Sequence, residues 1–349
     1  MIYSFTIMGS NEIQNILTEL AFSRDLDMET ATKAFQIIMN GGATPAQMGA
    51  FLMALRQKGE TVTEITAGAQ TLRHKAKTFT APDNAIDTCG TGGDGKRTFN
   101  VSTAVAIVVA SCGVPVVKHG NRSITSVSGS SDILKALGVI IDAPADISDY
   151  ALRTTNLCFL MAPLYHKAMR HVAPVRQELG LRTIFNLLGP LANPASTKKQ
   201  LLGVYDKKWS YPIAQTLHNL GTTDAWIVHG NDGMDEITTT TTSHIVTLKQ
   251  GHIEEFTLDP NDYDIDYATP DQLRGGLPED NALALQEILN GKENAYADIV
   301  ILNSACALVM AQHCTTIKDG CMIARDSLQN GNAKRTLAAF IEATKTKSC

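Results

Sequence analysis

No two cysteines in this chain stand at C-x-x-C spacing, and their total, seven, is odd. That argues against a disulfide framework. Cys306, His313, Cys314 and Cys321 lie near one another in sequence, but not at the spacing of a zinc site. The thiols read as buried or free side chains in a reducing compartment. Long hydrophobic runs are missing as well: the longest, Ala104–Cys112, falls far short of the roughly 20 residues of a membrane helix. Met1–Ser10 is mildly apolar but lacks a basic start and a small-residue cleavage site. No export signal is therefore expected, and the expected location is cytoplasmic. A basic surplus is the third absence. The formal net charge is −5, which argues against a general nucleic-acid binder. A phosphate ligand would have to be met by local basic residues and a divalent cation.

With 44% hydrophobic and 19% charged residues, the composition is that of an ordinary enzyme, and 349 residues suffice for two domains. The most informative segment is a glycine loop. Gly90-Thr91-Gly92-Gly93-Asp94-Gly95 fits the dinucleotide pattern G-x-G-x-x-G, and Gly90 to Lys96 fits the start of a P-loop. Each pattern fails where its chemistry resides. A dinucleotide loop opens a helix at its third glycine, whereas Lys96 to Asn100 reads as loop; the strand after it ends in Lys118 instead of a carboxylate. A P-loop needs Ser or Thr directly after its lysine, and Arg97 stands there. What remains is a backbone anion nest followed by a helix start, with Ser102 and Thr103 as expected N-caps.

The first 76 residues are expected to be helical. Ile13, Ile16, Leu17 and Leu20 share one face, as do Met28, Ala31, Phe35 and Ile38, while Thr44-Pro45 opens a third helix and Thr63 a fourth. After Pro82 the pattern alternates: strand Ile86–Cys89, helix Ala104–Cys112, strand Val114–Val117, helix Asp132–Leu137. That is α/β with a parallel sheet. Asp146–Arg182 reads as helical again. Strands are expected at Ala225–His229, Ile245–Lys249 and Ile253–Leu258, then helices near Asn281–Leu289, Ala297–Gln312 and Ala333–Thr344. The run Thr238–Thr242 is expected at a strand edge.

Four motifs follow in order: Gly90 to Asp94, Asn100-Val101-Ser102-Thr103, Lys118-His119-Gly120-Asn121-Arg122, and Ser128-Gly129-Ser130-Ser131-Asp132. Ala162-Pro163 with His166, Pro174-Val175-Arg176, and Arg182 through Leu191 come next. Val228-His229-Gly230, Asp232-Gly233, Asp235-Glu236, Gly275-Gly276, Asn281-Ala282 and Leu302-Asn303 complete the series. In this combination the chain closely resembles the anthranilate phosphoribosyltransferases of tryptophan biosynthesis, over nearly its whole length. The resemblance implies a small all-helical domain plus a larger α/β domain with a mostly parallel central sheet and helices around it. The helical domain would comprise residues 1–76 with a returning segment about 147–188. The α/β domain would comprise 77–146 and 189–349.

The implied reaction joins the amine of anthranilate to C1 of 5-phosphoribosyl 1-diphosphate, with release of diphosphate. By the resemblance, the donor is bound by Gly90, Gly93, Asp94, Thr98, Asn100, Val101, Ser102, Thr103, Lys118, His119, Gly120, Asn121, Arg122, Ser123, Ile124, Thr125, Ser126 and Ser130. Anthranilate falls to Gly90, Asn121, His166 and Arg176, the last for its carboxylate. Ser102, Asp235 and Glu236 match metal positions, for Mg²⁺ and two ions per site. A homodimer through the helical domain is implied. Relatives commonly have proline where Lys167 follows His166, which bears on the acceptor side alone. Two rivals are a pyrimidine-nucleoside phosphorylase of the same fold, and a nucleic-acid-binding relative without activity. The adjacent acids and the basic run fit a diphosphate donor better than the first. The negative charge speaks against the second.

Overall fold

The computed structural model describes residues 10–121 and 128–346. The chain forms two compact units, Met1–Lys77 with His166–Ala192, and Thr78–Tyr165 with Asn193–Cys349. In the first, helices occupy Ser10–Ala21, Met28–Met39, Pro45–Lys58 and Val62–Lys75. Local chemistry fixes their starts: Asp27 accepts from the Thr30 N–H, while Thr44 with Gln47 and Thr61 with Glu64 form reciprocal capping boxes. The fourth helix therefore opens from Thr61, two residues before Thr63. Ile13, Ile16, Leu20, Ala31, Phe35 and Ile38 are buried as their spacing requires, but Met28, in the first turn of its helix, is exposed. Phe35 meets Phe51 and Phe185 edge-on, at 5.5 and 6.2 Å between centroids, which joins the returning segment to this core.

The second unit is built on a seven-stranded sheet: β1 Ile86–Gly90, β2 Val116–Gly120, β3 Leu157–Met161, β4 Lys199–Gly203, β5 Asp224–Gly230, β6 Ser243–Lys249 and β7 His252–Leu258. Their order is β3-β2-β1-β4-β5-β6-β7. The five strands β3 to β5 in that order run parallel, and β6 and β7 add an antiparallel hairpin edge. The helix Val101–Ser111, apolar from Ala104 to Ala110, is buried on nearly every side and packs against the largely apolar helix Ala295–Met310. No helix among the described residues is long and apolar enough to cross a membrane.

Several expectations need correction. Asp146–Arg182 is not continuously helical, because Leu157–Met161 is the sheet-edge strand β3. Its five buried apolar residues show no alternation, since helices cover both faces of a parallel strand, and such a run resembles a buried helix turn. The compact returning segment accordingly begins at His166 rather than near 147. β2 starts and ends later than expected, which puts Lys118 inside the strand. Strand β4 was not anticipated, and neither were the helices Ser210–Asn219 and Ile317–Gln329. Thr238–Thr242 is loop, with Thr238 and Thr239 fully buried; the hydroxyls of Thr238 and Thr240 serve turn hydrogen bonds to Asp232 in place of a strand edge.

Candidate active site

Chain order reverses between β1 and β4, so the carboxyl ends of these strands form the switch point where open α/β sheets bind ligands. The glycine loop leaves β1 there. Its first residue, Thr91, is stitched to β4 twice: its N–H donates to Gly203 O (2.9 Å), and its hydroxyl accepts from the Tyr205 N–H (3.0 Å). The loop reverses through Gly92 and Gly93, both with positive φ (+64° and +77°).

The loop between β5 and β6 delivers Asp235 onto these strand ends. A Cβ on Gly203 would stand 1.6 Å from the Asp235 carbonyl oxygen, and one on Gly90 would stand 2.5 Å from its Oδ2. Both glycines are thus explained by close approach of an acid. Asp235 Oδ2 also accepts from the Gly92 N–H at 2.7 Å, so one loop N–H expected to face an anion is already engaged. Glu236 Oε1 accepts from the Ser102 N–H (3.2 Å) in the first turn of helix Val101–Ser111, where the helix dipole favours negative charge. The cap is Asn100, without a side-chain cap bond of its own, so Ser102 and Thr103 fall inside the helix and not at its cap. Ser102 Oγ in turn accepts from Lys118 Nζ at 3.2 Å, and Lys118 also donates to the Thr88 carbonyl.

Charge is crowded here. Burial first, then the nearby Asp94 carboxylate, push Asp235 up to about 7. Burial and then Asp235 raise Glu236 well above the usual carboxylate range, against the pull of Lys118. Lys118, itself 2% exposed, is lowered by burial, with Asp87 acting in the opposite sense. The structure thus gathers Asp94, Ser102, Lys118, Asp235 and Glu236 at one place.

The remaining donor candidates surround it. Asn100 Oδ1 accepts from Asn281 Nδ2 (3.0 Å) and Ser128 Oγ (3.3 Å), while Asn281 Oδ1 takes the Gly276 N–H (2.7 Å). Thr98 bridges to Arg274, and its carbonyl would stand 2.7 Å from a Cβ on Gly275. Val101 is buried in the first helical turn, and the buried Thr103 hydroxyl has no hydrogen-bond partner among the described residues. His119 and Gly120 end β2, Asn121 follows exposed, and Ser130 opens the helix Ser130–Ala136. Arg122, Ser123, Ile124, Thr125 and Ser126 lie outside the described residues.

Comparison with known proteins decides the family. Residues 14–76 match the helical bundle domain of a glycosyl transferase family, and residues 82–334 match its a/b domain. The chain is 51% identical to an anthranilate phosphoribosyltransferase of Parvibaculum lavamentivorans, over 97% of this chain and 99% of that one. A crystal structure of the Thermus thermophilus anthranilate phosphoribosyltransferase superposes with a TM-score of 0.89 at 36% identity, covering 95% and 99% of the two chains. That from Saccharomyces cerevisiae, in complex with PRPP and Mg, gives 0.89 at 28% identity, covering 97% and 99%. The chain belongs to the anthranilate phosphoribosyltransferase family.

Membership makes it a pentosyl-transferring enzyme and accounts for the two-unit fold. The family's two acceptor-side candidates stand in the helical unit. His166 is buried, and burial lowers it to about 4, so it is neutral at pH 7. Arg176 lies on the short helix Ala173–Leu179 with its guanidinium 5.6 Å from the Phe185 ring centroid. Burial lowers its pKa, and it has no carboxylate partner among the described residues.

Two further acids organise this site: Asp87, which drew no notice in the sequence, and Asp232, which stands in the motif series. Asp87 is fully buried in β1 and accepts from Asn193 Nδ2 at 2.8 Å. Asp232 Oδ1 accepts from the Met234 N–H (3.0 Å), and its Oδ2 accepts from the hydroxyls of Thr238 and Thr240. An acid inside an apolar strand, as at Asp87, was the available signal. The donor set fits Mg²⁺: hard carboxylate oxygens from Asp235 and Glu236 with a hydroxyl from Ser102. Among the described residues no three His, Cys, Asp or Glu side chains form a ready-made cage. Mg²⁺ is commonly held by one or two carboxylates plus substrate phosphates.

Proposed function

We propose that this chain transfers the phosphoribosyl group of 5-phosphoribosyl 1-diphosphate to anthranilate using the residues gathered at the carboxyl end of its sheet. The amine nitrogen forms the bond to C1 as the C1–O bond to diphosphate breaks. Diphosphate leaves with the electron pair, and the nitrogen loses a proton to give N-(5-phosphoribosyl)anthranilate. The transition state has oxocarbenium character, by analogy with glycoside cleavage. An aromatic amine is neutral at pH 7, so positioning and charge neutralisation carry the catalysis.

The glycine loop from Gly90 to Gly93, with Asp94, Thr98 and the helix start at Asn100 to Thr103, holds the donor. The basic run from Lys118, with Ser130, completes that contact. Bound Mg²⁺, which we take as two ions on Asp235, Glu236 and Ser102, offsets the charge of the diphosphate. Arg176 receives the anthranilate carboxylate through its planar fork, and His166, Gly90 and Asn121 are the acceptor positions that the family resemblance adds. The single observation supporting this reading most strongly is the seating of Asp235 on two glycine Cα atoms beside Glu236, Ser102 and Lys118. We place the enzyme in the cytoplasm as a homodimer through its helical unit, as the family resemblance implies.

The test mixes protein, Mg²⁺, donor and anthranilate and follows anthranilate fluorescence. We expect its loss to require both donor and metal. Steady fluorescence with every component saturating would overturn the reading.

A further inference from the structure

Asp235 and Glu236 lie in an irregular connection between β5 and β6, yet they must be held to a fraction of an ångström to serve a metal. Before the acids, the Asp232 turn fixes Met234, Thr238 and Thr240. Immediately after them comes Ile237, whose main chain has no strand or helix partner. Both of its polar groups are nevertheless satisfied, by one side chain. Asn303 Oδ1 accepts the Ile237 N–H at 3.0 Å, and Asn303 Nδ2 donates to the Ile237 carbonyl at 2.7 Å. The second Nδ2 proton goes to Ile299 O at 2.8 Å, within Asn303's own helix.

Asn303 is fully buried in Ala295–Met310, between Leu302 and Ser304, which are equally buried. Burying an amide in an apolar helix costs free energy unless its groups are paired. Here both ends are spent on the residue next to Glu236. An amide of this length offers a donor and an acceptor together, whereas a carboxylate would turn an oxygen against the Ile237 carbonyl.

We propose that Asn303 is a positioning residue for the metal site: its amide locks the main chain at Ile237, and thereby the Asp235–Glu236 pair, to the rigid helix Ala295–Met310. It touches neither substrate nor metal and acts through the loop. This rests on the reading of Asp235 and Glu236 as metal-holding residues.

The test uses Asn303→Ala and Asn303→Asp in the full-length enzyme. Mn²⁺ binding in the presence of donor is followed by electron paramagnetic resonance, beside the Mg²⁺ dependence of the rate and the anthranilate KM. Loss of a partner that orients metal ligands typically weakens metal binding about 10–100-fold, and we expect an effect of that order on Mn²⁺ and Mg²⁺ with the anthranilate KM unchanged. A variant that melts earlier but binds Mn²⁺ like the parent would overturn the proposal, leaving Asn303 a merely structural residue. Should Asn303→Ala not fold, Asn303→Asp, which retains the Ile237 N–H acceptor, decides on the same readouts. Asp235→Asn with Glu236→Gln is run alongside. If those changes leave Mn²⁺ binding intact, the metal reading fails and takes this inference with it. If they abolish binding while the Asn303 variants retain it, only the Asn303 role falls.

Discussion

The acids Asp235 and Glu236 and the cation Arg176 are all half-buried charges, but the two units hold them in opposite ways. The α/β unit surrounds its acids with partners: the Gly92 N–H on Asp235, the Ser102 N–H on Glu236, and Lys118 close by. The helical unit leaves Arg176 against an aromatic face, without a carboxylate among the described residues. The difference teaches how each charge is used. The acids are organised by the fold before any ligand arrives, and their mutual repulsion suits them to a cation. Arg176 is half-buried without a counter-charge among the described residues, and an incoming carboxylate would supply one.

The largest effect that can break this contrast comes from the acids. Asp235→Asn combined with Glu236→Gln keeps shape and removes charge. Turnover should fall by about a hundredfold or more, the scale seen when preorganised electrostatic stabilisation is lost. Steady-state rates over a Mg²⁺ series provide the check, and an unchanged Mg²⁺ response would remove the pair from the site.

A smaller and more selective effect is expected at Arg176. Hydrogen bonds to a charged group contribute about 1.5–3 kcal/mol, so Arg176→Ala should raise the anthranilate KM roughly tenfold to a hundredfold. The donor KM should stay put. Arg176→Lys should recover only part of the loss, because an ammonium cannot match a carboxylate with a planar fork. An equal rise in both KM values would show that Arg176 supports the fold of its unit and not the acceptor.

This contrast also governs what could be read from the chain. The donor side was legible because main-chain chemistry demands particular residues in a short stretch: Gly90 to Asp94, then Asn100 to Thr103, then Lys118. Asp235 and Glu236 were legible only through the motif series, since nothing local distinguishes them from an exposed acidic pair. Gly203, against Asp235, and Asn303, bonded to Ile237, are remote in sequence, and no periodicity reveals a backbone approach or an amide bonded to a loop. The strand Leu157–Met161 was obscured by its uniform burial, and β4 (Lys199–Gly203) by its lack of β-branched and aromatic residues. Arg176 and His166 sit on short helical pieces whose patterns fit any surface helix, so family resemblance alone singled them out.

The smallest expected effect separates the cost of the acids from their use. Asp235 titrates near 7 in the metal-free fold against an ordinary value of 3.8. Between those values the folded chain binds more protons than the unfolded one, so the free energy of unfolding falls as pH rises. This group thus favours the fold most fully below about pH 4, and its contribution is lost as pH approaches 7. Thermal melts of metal-free protein should decline across that window, and Asp235→Asn should flatten the decline and melt higher at pH 7. The same variant should lose activity, so stability and catalysis are expected to move in opposite directions at one residue, as where repulsion is retained for a ligand. Identical slopes for parent and variant would mean that Asp235 is not the strained member of the cluster. Glu236, raised in the same direction by burial and by Asp235, would then be the next substitution to melt.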